Sequence, residues 1–203
     1  MTAGRLVVWR HGQTDWNLQG RWQGQTDVEL NETGISQAIA AAPGVAEYKP
    51  NEIWSSDLKR ATRTAAELTG LTGLGVRTDP RLREISMGDW EGLTKAEILA
   101  KYPHHLNPES IDQIRGGNGE SLLQTAERVA QALTDIAEQA SEGAVVAVVM
   151  HGAAARIGAF QLVGAPLHPA GWLGPLENCK WLVLDRDLAK GWRITAYNLG
   201  ADA

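Results

Sequence analysis

The run "AVVAVVM" at Ala144–Met150 is the feature that most limits the fold of this chain. It is apolar throughout, rich in β-branched valine, and has no polar residue at alternate positions. Such a run is typical of a strand in a parallel sheet whose two faces are both covered. Leu6–Trp9 has the same character near the start of the chain. Together the two runs favour a sheet with a layer of helices on each side.

Short apolar stretches and helical periodicities alternate along the rest of the chain. Further strands are predicted at Glu52–Ser55, Gly75–Thr78, Trp181–Leu184 and Arg193–Ala196. Five helices are predicted: after a cap at Asn31 or Thr33, after a cap at Ser56 or Asp57, over Thr94–Tyr102, within residues 119–143, and after His151. The helix that follows Asn31 or Thr33 is expected to end or kink at Pro43. This alternation predicts an α/β fold, a three-layer α/β/α sandwich with a mostly parallel central sheet.

The length of the chain, 203 residues, suits a single domain over 1–203. One polar interval rich in turn residues, 102–119, interrupts the pattern and is interpreted as a substrate lid or binding loop. His104, His105 and His168 stand beside prolines in loops and are expected to be solvated, although the first two could touch substrate from the lid.

Composition excludes several classes of protein. The net charge is −5 and no cluster of Lys and Arg stands out, which argues against a nucleic-acid partner. No apolar run reaches membrane-spanning length, so a membrane protein is not expected. The single cysteine, Cys179, rules out a disulfide within the chain and is interpreted as buried apolar filler. We expect a cytoplasmic protein.

Both long apolar runs end in a histidine followed by a glycine. The first reads "RHG" from Arg10 and the second "HG" from His151. Since ligands of open α/β sheets bind beyond the carboxyl ends of the strands, we expect His11 and His151 to lie near one ligand. The glycines are expected to let the backbone approach that ligand, and a helix starting after His151 would offer N–H groups to an anion.

Two further segments supply charged groups. "SSDLKRATRT" places Arg60 in the first turn of a helix that follows a strand, and its guanidinium can bind phosphate with two hydrogen bonds. With Arg10 and the two histidines, this predicts a phosphoryl group as the ligand. In "RLREISMGDWEG", Glu84 precedes a glycine-bearing turn and is the candidate proton donor to the leaving oxygen.

Five motifs in this order resemble those of the histidine phosphatase superfamily, in its cofactor-dependent phosphoglycerate mutase-like branch. They are "RHGQTDWN", "SSDLKRATRTA", "LRE" with "GDWEGLT", "GES" at Gly119–Ser121, and "HG" at His151. The resemblance covers nearly the whole chain. It implies a phosphoglycerate mutase-like fold, a small phosphorylated metabolite as partner, no metal and no bound cofactor, and, at the level of the family, a homodimer.

The resemblance also implies roles for individual residues. It makes His11 the nucleophile that carries a phosphohistidine, and Glu84 the general acid and then the base for water. The groups implied to bind the phosphoryl oxygens are Arg10, Arg60, His151, Asn17, Gln23 and the backbone N–H of Gly152. One departure is Met150, which stands where the family more often has a small or hydroxyl residue.

Less specific interpretations of these residues remain open from the sequence. Arg60 could pair with Asp57 or Glu67 along its own helix, and Glu84 could form an ion pair with a neighbouring arginine, Arg81 or Arg83. Glu91 is a competing candidate for the acid. Two histidines with carboxylates could also bind a metal, although no single element carries ligand spacing.

Three functions compete for such a site. A phosphatase would release phosphate to water, and a mutase would return it to a second oxygen of a sugar acid. An inactive phosphate-binding module is the third. The mutases of this family are longer and have an Arg-His-Tyr-Gly run where this chain has "ISMG" at Ile85–Gly88, which favours a phosphatase.

The motifs most resemble those of phosphatases of glucosyl-3-phosphoglycerate, with alpha-ribazole and broad-range phosphatases as alternatives. Selectivity is expected from Trp22–Gln25, the 102–119 interval and Trp90.

Overall fold

A mixed sheet of six strands forms the centre of the computed structural model, which describes residues 2–103, 110–167 and 173–200. In chain order the strands are β1 (Arg5–Arg10), β2 (Glu52–Ser55), β3 (Val76–Thr78), β4 (Val145–Met150), β5 (Trp181–Asp187) and β6 (Gly191–Leu199). Their order across the sheet is β3-β2-β4-β1-β5-β6. The pairings of β3, β2, β4 and β1 are parallel, and β5 is antiparallel to both of its neighbours.

Helices cover both faces of this sheet. They are α1 (Asp15–Leu18), α2 (Glu32–Ala46), α3 (Lys59–Thr72), α4 (Lys95–Lys101), α5 (Leu122–Gln139) and α6 (Gly152–Leu162). One apolar core joins buried residues of α2 and α3 to the sheet, and the other joins buried residues of α5 and α6 to it. The α/β class, the layers and the mostly parallel sheet predicted from the sequence are therefore confirmed.

The register of β1 and β4 brings the two His–Gly pairs together. Arg10 at the end of β1 lies opposite Met150 at the end of β4. The next residue along each strand is His11 or His151, so both histidines leave the same edge of the sheet on adjacent strands. Both strands are almost fully buried, as their apolar sequences predicted.

Helix α2 continues past Pro43 to Ala46, so of the two outcomes predicted at this proline, an end or a kink, the end was wrong. The last turn is stabilised by tertiary packing. Val45 is fully buried, and Gly44 lies so close to the indole of Trp181 that a Cβ would be 2.8 Å from its Cη2 atom. The backbone N–H of Glu47 donates to the carbonyl oxygen of Pro43, which extends the helical hydrogen bonding beyond the proline.

Helix α3 begins at Lys59, with Leu58 rather than Ser56 or Asp57 at the capping position. Both predicted caps are engaged elsewhere. The hydroxyl of Ser56 is hydrogen bonded to His151, and Asp57 forms a two-point ion pair with Arg83. Local sequence rules predict Ser56 or Asp57 as the cap of α3, but both side chains instead bind residues that are distant in the sequence.

Part of the 102–119 interval is described. Residues 115–119 pack on Ser86–Asp89, where the carbonyl oxygen of Met87 would lie 2.1 Å from a Cβ at Gly116. His104 and His105 lie outside the described residues, as does His168. Among the helices that are described, none combines the length and apolarity needed to cross a bilayer.

Candidate active site

A cavity of about 160 Å³ opens at the carboxyl edge of the sheet, beyond β1 and β4. Six of the eight site residues predicted from the sequence line it: Arg10, His11, Asn17, Gln23, Arg60 and Glu84. The rest of the wall comes from Arg21, Trp22, Gly24, Ile85, Met87 and Ala153. Larger depressions exist elsewhere on the described surface, but their walls hold none of the predicted residues. Six side chains that the sequence singled out therefore share one cavity, at the edge of the sheet where a ligand was expected.

His11 is held with its Nδ1 atom 2.6 Å from the carbonyl oxygen of Gly12. A carbonyl can only accept, so the imidazole carries its proton on Nδ1 and leaves the lone pair of Nε2 free. Burial, together with the charges of Arg60 and Arg10, holds the pKa of His11 well below 6.5. The ring is therefore neutral at physiological pH and fit to act as a nucleophile.

His151 lies next to His11, with 5.1 Å between the ring centroids and 64° between the ring planes. It is fully buried and does not reach the cavity wall. Its Nδ1 accepts a hydrogen bond from Nε–H of Arg60 at 3.2 Å, and its Nε2 donates to the hydroxyl of Ser56 at 2.9 Å. Burial and the charge of Arg60 also lower the pKa of His151 well below its usual value.

Arg60 is fully buried, and its two Nη groups donate to backbone carbonyls while its Nε donates to His151. Nη1 donates to the carbonyl oxygen of Thr26 at 2.7 Å, and Nη2 donates to that of Gly24 at 2.8 Å. It pairs with neither Asp57 nor Glu67, which take Arg83 and Arg63 instead. Burial lowers the pKa of Arg60 to about 10, so the group stays charged at neutral pH.

Arg10 points its guanidinium into the same cavity. Nη1 donates to the carbonyl oxygen of Leu176 at 2.6 Å. Among the described residues, its Nε is the one buried side-chain nitrogen or oxygen without a hydrogen-bond partner. Gly152 makes room for this side chain, because a Cβ at that position would lie 3.1 Å from Nε of Arg10. A buried, unpartnered N–H in a cationic cavity favours an anionic ligand.

The carboxylate of Glu84 lies at the N-terminus of α6. Oε2 accepts from the backbone N–H of Ala153 at 3.1 Å, and Oε1 accepts from that of Ala154 at 2.8 Å. The N–H groups that the sequence offered to an anion thus bind this carboxylate, as expected for a helix N-terminus. The alternative that Glu84 forms an ion pair with Arg81 or Arg83 is wrong, since Arg81 pairs with Asp79 and Arg83 pairs with Asp57.

Asn17 and Gln23 are tied to each other through Thr14. The carbonyl oxygen of the Asn17 side chain accepts from the backbone N–H of Thr14 at 3.1 Å and closes a capping box on α1. The hydroxyl of Thr14 lies 3.0 Å from the amide oxygen of Gln23. Both amides line the cavity with their oxygens engaged, so their NH₂ groups are the ends left to donate.

Packing against the first turn of α2 requires a glycine at position 12. A Cβ on Gly12 would lie 2.3 Å from the carbonyl oxygen of Gly34 in the first turn of α2. Its backbone N–H donates to the hydroxyl of Thr64 on α3 at 3.2 Å. The loop after β1 is thus held between two helices, which fixes the backbone of the neighbouring His11.

Comparison with known proteins places this arrangement in a family. The sequence pattern of the histidine phosphatase superfamily (branch 1) matches residues 6–200. The chain belongs to this superfamily. This chain is 39% identical to the glucosyl-3-phosphoglycerate phosphatase of Mycobacterium tuberculosis strain H37Rv, over 99% of its own length and 97% of that protein. It is 35% identical to a probable phosphoglycerate mutase, GpmB, of Yersinia pestis, over 94% of this chain and 90% of that one.

A solved structure gives the same assignment. The structure of a mycobacterial glucosyl-3-phosphoglycerate phosphatase in complex with VO₃ matches this phosphatase with a TM-score of 0.89. The two are 39% identical, and the match covers 98% of this chain and all of the other. The phosphoglycerate mutase-like resemblance stated from the motifs is confirmed, and the chain is a histidine phosphatase.

Several residues that shape the site of this phosphatase were missed by sequence reasoning. Asn178 donates to the carbonyl oxygen of His11 at 3.0 Å and to the side-chain oxygen of Asn17 at 3.3 Å. No motif marks it, since it lies 167 positions from His11 in the chain. The hydroxyl of Ser56 is hydrogen bonded to His151 and orients its ring. The motif "SSDLKRATRT" contains this serine, but local sequence rules interpret it as a helix cap.

Glu91, the competing candidate for the acid, organises the loop that holds Arg60. Oε1 accepts from the backbone N–H of Gln25 at 2.9 Å, and Oε2 accepts from that of Thr26 at 2.9 Å. Its carboxylate also accepts from the N–H of Met87 at 3.2 Å. Because the carbonyls of the same loop bind Arg60, Glu91 acts on the guanidinium through the backbone and does not line the cavity.

Metal ligation finds no support in the part of the phosphatase that the structure describes. Over residues 2–103, 110–167 and 173–200, no group of three or more His, Cys, Asp or Glu side chains is arranged to hold a metal ion. The hydrogen-bond partners of the two histidines are a carbonyl, a hydroxyl and a guanidinium. Cys179, expected as buried filler, is buried, and its burial raises the pKa of the thiol to about 12.

Proposed function

We propose that this protein hydrolyses a phosphomonoester of a small metabolite through a phosphohistidine on Nε2 of His11. The observation that carries the proposal is the hydrogen bond from Nδ1–H of His11 to the carbonyl oxygen of Gly12, in a cavity that also holds two arginines and a carboxylate. It aims the unprotonated nitrogen of a neutral imidazole at the place where a bound phosphoryl group would lie between Arg10 and Arg60.

The reaction then has two displacements at phosphorus. In the first, the lone pair of Nε2 forms a bond to phosphorus, the bond to the ester oxygen breaks, and that oxygen takes a proton from the carboxyl group of Glu84. In the second, the carboxylate of Glu84 takes a proton from water as the water oxygen bonds to phosphorus. The P–N bond breaks, its electron pair returns to Nε2, and phosphate leaves.

The charge developing on the phosphoryl oxygens is met by the two guanidiniums. Arg60 is fully buried and donates to two backbone carbonyls, and Arg10 is partly buried and donates to one, so both have little freedom to move. Such preorganised cations stabilise the transition state without a metal ion. We therefore propose a metal-independent enzyme without a bound cofactor. Exhaustive chelation is expected to leave turnover unchanged, and a loss restored by a divalent cation would contradict this.

We propose glucosyl-3-phosphoglycerate as the first substrate to test, because relatives with that name are 39% identical over 99% of the chain. The mutase alternative is supported by the relative named a probable phosphoglycerate mutase. A panel ranked by kcat/KM separates the two, and it should also contain 3-phosphoglycerate, ribazole phosphate and an aryl phosphate. Migration of phosphate on 3-phosphoglycerate that outpaces its release would favour the mutase.

His11→Asn tests the phosphohistidine directly. Asparagine keeps a polar side chain of similar reach but has no nucleophilic nitrogen. We expect kcat/KM for phosphate release to fall by at least about 10³-fold, because the first displacement has no acceptor. Turnover within tenfold of wild type would rule out the mechanism, provided that circular dichroism shows the variant to be folded.

Glu84→Gln supplies the matching trap. With an aryl phosphate, whose leaving group needs no proton, the first displacement should proceed while the second lacks its base. An acid-labile phosphoryl adduct should then accumulate on the Glu84→Gln enzyme and be absent from the Glu84→Gln, His11→Asn double variant. An adduct present in both would place the phosphoryl group on another residue.

Location and assembly are proposed at the level of the family resemblance. We infer a cytoplasmic enzyme, consistent with a single buried cysteine. We also infer a homodimer, for which sedimentation equilibrium is the test. A monomer at micromolar concentration would contradict it.

A further inference from the structure

The motif "GES" at Gly119–Ser121 has no part in the reaction proposed above, yet it contacts the segment that carries the acid. Ser121 caps α5, accepting a hydrogen bond from the N–H of Gln124. The backbone N–H of Glu120 donates to the carbonyl oxygen of Ser86 at 2.8 Å. The start of α5 is thus joined by main-chain hydrogen bonding to the residues that follow Glu84.

The side chain of Glu120 holds the same segment. Oε2 accepts from the backbone N–H of Ser86 at 2.9 Å. Arg128, two turns along α5, donates to both carboxylate oxygens of Glu120, from Nε at 2.7 Å and from Nη2 at 2.7 Å. Burial raises the pKa of Glu120, but the hydrogen bonds from Arg128 and Ser86 outweigh it and lower the pKa below its usual value. The pair is therefore charged on both sides at neutral pH.

The guanidinium of Arg128 binds the acid segment from the other side of Glu84. Nη1 donates to the carbonyl oxygen of Arg81 at 2.5 Å and to that of Arg83 at 3.1 Å. Nη2 lies 3.3 Å from the carbonyl oxygen of Glu84 itself. Together, the two side chains fix the backbone immediately before Glu84, at Glu84 and two residues after it.

The ion pair is not explained well as a device for stability alone. The side chains of Arg128 and Glu120 are only 19% and 21% exposed. A pair this far from water recovers little net free energy after its desolvation. Four of its hydrogen bonds, however, go to backbone groups of one short loop, between residues 81 and 86, and that loop carries Glu84.

We propose that Glu120 and Arg128 are positioning residues for the general acid, holding the backbone of Glu84 so that its carboxyl group meets the leaving oxygen. The inference rests on the proposed function, in which Glu84 donates that proton. Neither side chain lines the cavity, so both act through the loop and touch no reacting atom. The chemical consequence is a dependence on the leaving group, since only a poor leaving group needs the proton.

The test compares kcat/KM for an alkyl phosphate and for p-nitrophenyl phosphate, in Arg128→Lys and Glu120→Gln. We expect kcat/KM for the alkyl phosphate to fall by about 10- to 100-fold, because general acid catalysis contributes about 10²–10⁴ and a misplaced group loses part of it. For the aryl ester we expect a change below about threefold. Glu127→Gln, at an exposed position on the same helix, is the matched control and should change neither value.

Glu84→Gln calibrates the experiment. It should show the same selective loss at larger size, and if it does not, the proposed acid is wrong and the positioning role falls with it. If Glu84→Gln is selective but both positioning variants lose activity equally on the two esters, or lose none, the proposed function stands and this inference is overturned. Arg128→Lys keeps the charge, so one of the two variants remains informative if the other does not fold.

Discussion

At the scale of single residues, the two glycines that follow the histidines have different tasks. Gly12 is excluded from carrying a side chain by the backbone of α2, at 2.3 Å from an added Cβ. Gly152 faces the guanidinium of Arg10, at 3.1 Å. The first contact concerns how the loop packs, and the second concerns where a charge in the cavity lies.

Gly152→Ala is therefore expected to impair activity more than folding. The new methyl group displaces the guanidinium of Arg10 by a few tenths of an ångström, and we expect kcat/KM to fall by about tenfold. Gly70→Ala in α3, where an added Cβ meets nothing within 4 Å, is the control and should leave activity unchanged. Wild-type kcat/KM in Gly152→Ala would show that the position of Arg10 is not critical.

At the scale of elements, the site depends on irregular segments that are held from outside the cavity. Residues 24–26 have no regular secondary structure, yet they supply the carbonyls that bind Arg60. Glu91 fixes this loop with its two carboxylate oxygens. A charged side chain outside the cavity thus sets the position of a charged side chain inside it.

Glu91→Gln tests that coupling. The new NH₂ group faces a backbone N–H, so a donor loses its acceptor, and we expect the free energy of unfolding to fall by about 1–3 kcal/mol. Because Arg60 is less firmly held, kcat/KM should also fall, by about tenfold for alkyl and aryl phosphates alike.

The control for this variant is Glu67→Gln, which removes only the ion pair with Arg63 on the surface of α3. It should change stability by less than about 1 kcal/mol and leave activity as it is. A loss in Glu91→Gln confined to alkyl phosphates would contradict the coupling to Arg60, since it would mean that Glu91 affects the proton transfer to the leaving oxygen instead.

At the scale of the whole molecule, two buried neutral histidines make stability depend on pH. Burial lowers the pKa of His11 and of His151 well below 6.5, whereas both return to about 6.5 in the unfolded chain. Below pH 6.5 the unfolded state therefore binds more protons than the folded state. The free energy of unfolding is highest above pH 6.5 and falls as the pH decreases.

We expect each histidine to lower the free energy of unfolding by up to about 1.4 kcal/mol between pH 7.5 and 5.5. Urea titrations at the two values measure the difference. The double variant His11→Asn, His151→Asn should lose most of this dependence, because asparagine does not titrate. An equal pH dependence in the two proteins would mean that the histidines are not responsible.

The sequence predicted those parts of the fold and the site that local patterns determine. Uninterrupted valine runs indicate strands buried on both faces, and this was enough to place His11 and His151 at one edge. The sequence could not show that Ser56 binds His151 instead of capping α3, because a hydroxyl can make either hydrogen bond and only the tertiary structure decides between them. The role of Asn178 depends on a contact between segments that are far apart in the sequence. The pairing of Glu120 with Arg128 depends on how the two side chains fold back on residues 81–86.

The parallel pairing of β1 with β4 has a consequence for how the site can fail. His11 and His151 each follow directly on the last paired residues of the ladder, Arg10 and Met150, and their rings are 5.1 Å apart, close to the spacing of about 4.8 Å between strands. Hinge bending or loop opening does not separate them, because that requires the ladder itself to break. Amide hydrogen exchange along these strands should follow global unfolding, and the pair should stay assembled until the whole sheet opens.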